Sequence, residues 1–245
     1  MSIQFDEIGQ TIAIGALFSI SICLLLRHFT DMQEIFKQLN SIKLPQLFVT
    51  AVLLAFLYSI GILAQSISKN TVANRRPNLD WLMPNYFLPY DSQMRGTSLD
   101  TFLQRCSPLE RKTMESLYAK LLTRSPQNDD EKNNTFFFCK NKVYSDTRYY
   151  SELKGIENKL FFTTSLSFIS WVSIMFYLSF IAYYWVRQKI NKDISQVHIQ
   201  KKYKHELYFI AILGILLIAG CISYRSLQDS FNLRIFGYYI ADAIK

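Results

Sequence analysis

Residues 160–186 read LFFTTSLSFISWVSIMFYLSFIAYYWV, twenty-seven consecutive positions without one charged side chain. At about 1.5 Å per residue, a helix this long exceeds the ~30 Å hydrocarbon layer of a bilayer. A helix on the surface of a soluble protein keeps its apolar residues to one stripe, whereas this stretch is apolar all round. It therefore predicts a membrane span. Residues 8–26, 47–67 and 207–223 are three further runs of the same kind, none with an interior charge. Together the four runs predict an all-α integral membrane protein: four transmembrane helices, with a small helical extramembrane domain between the second and third.

The expected organisation has three blocks. Residues 1–67 hold an N-terminal tail and the first helix pair. Residues 68–159 form a mostly helical extramembrane domain. Residues 160–245 hold the second helix pair and an amphipathic C-terminal helix. The first run lacks a basic n-region before it and an Ala-x-Ala cleavage site after it, so a retained helix rather than a removed signal is expected. Phe29, Met32, Ile35, Phe36 and Leu39 recur at helical spacing and predict that this helix continues beyond the bilayer.

The chain is 50% hydrophobic with a formal net charge of +8. In a soluble domain that charge would suggest nucleic acid. Here the Lys and Arg residues cluster beside the apolar runs, so the expected partners are membrane lipids and no nucleic acid. Lys69, Arg75, Arg76, Lys201, Lys202 and Lys204 are the candidate contacts to anionic headgroups. The second short loop is dense in basic residues and the N-terminal tail has none, carrying Asp6 and Glu7 instead. This asymmetry places the short loops in the cytoplasm and both termini outside a cell membrane. Lys69, Arg75, Arg76, Lys154 and Lys159 pull in the opposite sense.

Two stripes of small residues recur every four positions: Gly15, Ser19 and Cys23 in the first run, and Ala51, Ala55 and Ser59 in the second. Small residues let helix backbones approach in lipid, so the stripes are expected to pack helices within the chain or to join copies of it. The third run is rich in hydroxyls, among them Ser167, Ser170 and Ser173. These fit interhelical hydrogen bonds or the lining of a polar pathway.

In the large loop, Ser107-Pro108-Leu109-Glu110 is a capping box with proline in the first turn, which starts a helix reaching about residue 123 after a shorter one near 98–105. The Pro, Asn and acidic content of 125–134 predicts a loop, and Phe136-Phe137-Phe138 a short strand or buried anchor. Ser145-Asp146 begins a helix that meets no proline before about residue 190. The amphipathic stretch 225–245 is expected to dock on the projecting part of that helix, or to lie on the membrane.

Signals for chemistry are sparse. No span interior carries an ionisable group, and His28, His198 and His205 lack ligand spacing, so no metal, cofactor or catalytic residue is assigned. Cys106 and Cys139 would form one disulfide in an oxidising compartment or stay as free thiols; both remain open. Asn133-Asn134-Thr135 is a glycosylation sequon. Lys69-Asn70-Thr71-Val72-Ala73-Asn74-Arg75-Arg76-Pro77 resembles the Lys-x6-Arg-Pro motif of type 2 phosphatidic acid phosphatases. The resemblance implies that Lys69 and Arg76 would hold a phosphate. That family's nucleophile and acid are histidines in two further segments, and this chain has neither segment. The expectation is a non-enzymatic, membrane-anchored interaction or signalling component acting through residues 68–159, on a protein partner or a second copy. The alternative is a self-assembling pore-forming or membrane-perturbing effector, a layout that also suits bacterial defence by abortive infection.

Overall fold

A computed structural model describes residues 5–26, 45–73, 84, 87–89, 91–122, 124–191 and 204–244. Its elements are α1 (Phe5–Leu26), α2 (Gln46–Ala73), α3 (Asp91–Arg105), α4 (Pro108–Leu121), α5 (Asp129–Tyr144), α6 (Thr147–Asn191) and α7 (Lys204–Ile244). No strand occurs among the described residues.

Three segments are long and apolar enough to cross a membrane: Leu47–Ser68 in α2, Thr147–Tyr183 in α6 and Leu207–Ile244 in α7. They mark the chain as a membrane protein. The expectation of four such helices is met only in part. The apolar stretch of α1, Glu7–Cys23, is shorter, at about 26 Å of rise against ~30 Å of hydrocarbon. The expected continuation of the first helix over 29–39 lies outside the described residues.

The chain divides into two compact units: 1–74 with 162–220, and 75–161 with 221–245. Helices α6 and α7 contribute residues to both. The second unit takes in the C-terminal stretch 221–245 together with 75–161.

In the first unit α1 and α2 run antiparallel, since Thr11 lies against Gly61 and Gly15 against Leu57. The burial pattern is the reverse of a soluble bundle. Ser21, Ser68, Ser165, Ser167 and Ser170 are buried, while Leu47, Phe56, Leu63, Phe176, Ile215 and Ile218 are exposed. In water so much exposed apolar surface would drive association. In lipid it costs nothing, and small or hydroxylated residues are the natural helix contacts.

The second unit has an apolar core of the ordinary kind. Leu99, Met114, Phe136, Val143, Leu153, Ile235 and Phe236 are each at most 1% exposed. Phe136 meets Phe236 edge-on at 5.8 Å between ring centres, and Phe102 lies 5.8 Å from the same ring. Local chemistry sets the helix starts. Ser107 caps α4, with its N–H donating to Glu110 Oε2 at 2.6 Å. Asn128 caps α5, its Oδ1 accepting from the Glu131 N–H at 2.8 Å. The helix therefore begins within the segment read as a loop, and Phe136-Phe137-Phe138 is helical rather than a strand, with Phe136 buried as the anchor reading expected.

Candidate functional site

The hydroxyls of α6 in the first unit bind neighbouring helices. Ser173 donates to Ser21 Oγ of α1 at 3.1 Å, and the Tyr177 phenol donates to the Ser21 carbonyl at 2.7 Å. Ser165 shares a 2.6 Å hydrogen bond with Ser68 of α2. Ser167 donates to its own helix at the Thr163 carbonyl, and Gly220 of α7 packs on it so closely that an added Cβ would lie 2.4 Å from its Oγ. Ser170 Oγ and Ser19 Oγ are enclosed without a hydrogen-bond partner.

Gly15 lies at the α1–α2 crossing. A Cβ there would fall 1.9 Å from the Leu57 carbonyl oxygen, and one on Gly61 would fall 2.0 Å from the Thr11 carbonyl oxygen. Only Cα–H groups fit, and such approaches supply weak Cα–H···O bonds. Ala51, Ala55 and Ser59 are not part of this contact: all three are exposed, and Ser59 donates to the Ala55 carbonyl of its own helix. Among the described residues, those of α2 that are buried are Gly61, Ala64 and Ser68, on the other side of the helix. Sequence reading missed Gly61, although it is the one glycine in its apolar run. It also missed Ser21 and Tyr177, whose hydroxyls are indistinguishable in sequence from solvent- or lipid-facing ones.

The candidate headgroup contacts are less defined. Lys69 lies near the end of α2 and Lys204 opens α7, with their side chains outside the described set, as are Arg75, Arg76, Lys201 and Lys202 altogether. Among the described residues no group of three His, Cys, Asp or Glu side chains comes together as a metal site.

In the second unit a buried polar cluster joins α3 to α7. Ser98 donates to Asp229 Oδ1 at 2.8 Å and accepts from Asn232 Nδ2 at 3.2 Å, and Gln228 Nε2 donates to Asn232 Oδ1 at 3.0 Å. Ser98 and Asn232 are fully buried, so these bonds hold the two helices in one register. A second polar row joins the start of α6 to the end of α7. Arg148 pairs with Asp146 and with Asp242, Arg234 pairs with Glu152, and the Tyr149 and Tyr238 rings stack 4.2 Å apart. The amphipathic C-terminal stretch is therefore seated on residues 148–152 of α6.

All four cysteines are free thiols. Cys139 is fully buried, and burial pushes its thiol up to about 12. Cys106 is half-buried. Burial also raises the Tyr118 phenol well above its ordinary value. The sequon lies within α5: Asn133 Oδ1 accepts from Arg95 Nη1 at 2.7 Å, and Thr135 is fully buried. Fold and chemistry together define a helical membrane protein whose polar groups mainly join helix to helix. No protein family, curated protein or solved structure matches this chain.

Proposed function

We propose that this protein is a four-pass membrane protein that anchors an interaction or signalling module, the module being the second unit. In this reading α1 is the fourth span. Its antiparallel seat on α2 and its bonds to α6 through Ser21 support the assignment. The short basic loops face the cytoplasm and both termini lie outside a cell membrane. The chain performs no catalysis of its own, and its membrane-side partners are lipids, with anionic headgroups met by Lys69, Arg75, Arg76, Lys201, Lys202 and Lys204.

One observation carries the choice over a pore. Ser165, Ser167, Ser170 and Ser173 are buried among helices of a single chain, so they offer no hydroxyl face for lining a channel between copies. The second unit, with its own packed core, is the part of the chain suited to a protein partner.

The pore-forming reading keeps one point in its favour, the exposed Ala51, Ala55 and Ser59 on α2, a face through which copies could assemble. Inducible expression with a membrane-potential dye separates the two. The expected result is no depolarisation at high expression. Rapid depolarisation that disappears in an Ala51→Leu/Ala55→Leu/Ser59→Leu variant would replace the interaction reading with the effector one.

A further inference from the structure

The helix contacts of the first unit put its four helices in a common register. Gly15 of α1 lies against Leu57 of α2, and Gly61 of α2 against Thr11. Ser21 of α1 is bonded to Ser173 and Tyr177 of α6, and Ser68 of α2 to Ser165 of α6. Tyr177 meets Phe209 of α7 edge-on at 5.7 Å between ring centres, and Gly220 of α7 packs on Ser167. At about 1.5 Å of rise per residue, these pairs map each helix onto the others to within about one turn. A plane through Leu26 of α1 then passes at about residue 47 of α2, 180 of α6 and 206 of α7. About twenty residues away, or ~30 Å, a parallel plane passes at about residues 6, 67, 160 and 226.

Two independent features fall on these planes. The first is charge. No Lys, Arg, Asp or Glu occurs in 8–26, 44–68, 160–186 or 205–224, so all four helices are uncharged across the same depth. The second is a group of exposed rings with polar tips. Tyr183 and Trp185 of α6 and Tyr208 of α7 are 59%, 58% and 60% exposed. By the register, Tyr208 lies level with about residue 178 of α6, so all three rings sit within about 8 Å of the first plane. That is the depth of the headgroup layer, about 5–7 Å on each side of the hydrocarbon, where Trp and Tyr concentrate.

We propose that a lipid bilayer surrounds all four helices between these two planes, with α1 crossing it in full, and that Tyr183, Trp185 and Tyr208 anchor the chain in the headgroup layer at the face where α1 ends and α2 begins. The surface between the planes meets acyl chains through side chains such as Leu53, Leu63, Phe176 and Ile215, all exposed. The apolar stretch of α1 is short because Glu7 and the end of the helix at Leu26 each stand at a face. This placement rests on the membrane reading and extends it to a depth for each residue. Trp171, half-buried in α6, comes at the middle of the bilayer, about 21 Å along the helix from Trp185.

Depth-dependent quenching tests this with the full chain reconstituted in phosphatidylcholine vesicles. The acyl chains carry bromine either near the headgroup or near the chain end. Replacing Trp81 and one other tryptophan by Phe leaves Trp171 or Trp185 alone. Ile20→Trp, at an exposed position of α1, is made with all three native tryptophans replaced by Phe. Deep bromine should quench Trp171 and the Ile20→Trp protein at least about twofold more than shallow bromine does, and Trp185 should show the reverse, because half the hydrocarbon is ~15 Å thick. Unchanged helicity by circular dichroism checks each variant. The difference between the parent and Trp185→Phe reads Trp185 a second time, with Trp171 in place. Deeper quenching of Trp185 than of Trp171 would overturn the proposal, as would shallow quenching of the Ile20→Trp protein, and both would leave the chain a membrane protein. Quenching of no tryptophan by either lipid, with the chain failing to float with the vesicles, would instead remove the membrane reading and the proposal with it.

Discussion

At Cys139 desolvation outweighs the one hydrogen bond that would favour the thiolate, so the thiol stays protonated. Only a thiolate is alkylated at a useful rate. In the detergent-solubilised protein at about pH 8, iodoacetamide should therefore modify Cys106 and spare Cys139 until the chain is unfolded, as read by peptide mass spectrometry. Labelling of both in the native protein would mean that α5 is not packed as described. The same pair bears on topology. An impermeant thiol reagent applied to intact cells should reach Cys106 if the second unit lies outside, whereas Cys139 would stay silent on either side. Glu110 offers a residue-scale test of pH. Its carboxylate accepts from the Ser107 N–H and is linked to the Ser107 side chain, and these bonds hold it below the usual carboxylate value. A lowered folded-state value stabilises the fold at pH above the ordinary carboxylate range, and that stabilisation is lost as pH falls through the lowered value. Glu110→Gln should thus lower the melting temperature by a constant amount above about pH 5, with the difference shrinking below it.

At the scale of elements, the close approach of α1 and α2 depends on two glycines facing two carbonyls. Gly15→Ala or Gly61→Ala would place a methyl about 2 Å from a carbonyl oxygen, a distance that real Cβ atoms do not show. The helices must then separate, at a cost of about 1–3 kcal/mol for an overpacked contact. Gly9→Ala and Gly214→Ala, where an added methyl meets nothing within 4 Å, should be neutral or slightly stabilising. Thermal melts of the four variants in one detergent check the contrast, and equal melts would rule out this crossing. Helix α4 depends on its cap in a comparable way. Ser107→Ala removes one half of the capping box and should cost about 1 kcal/mol. Both effects were legible in part. Ser107-Pro108-Leu109-Glu110 announces its helix because all participants lie within four residues. Gly15 pointed to a close approach, but its counterpart forty-six residues on did not declare itself, because any α2 face could have met α1.

At the scale of the whole chain, solvent is the deciding variable. Exposed side chains such as Leu47 at 86% and Ile215 at 67% are compatible with a stable protein only if hydrocarbon surrounds them. Sedimentation follows: the chain should pellet with membranes, resist extraction by alkaline carbonate and enter the supernatant only with detergent. The sequence by itself determined that much, together with helicity, the start of α4 and the long course of α6. Those depend on hydropathy, periodicity and neighbours a few residues apart. Tertiary structure decided the rest. It buried Ser167, Ser170 and Ser173 and left Ala51, Ala55 and Ser59 outside. It drew 225–244 into the core of the second unit. A serine or a glutamate looks the same in sequence whether it faces lipid, water or another helix. Its role depends on groups far along the chain, and only packing brings those into contact.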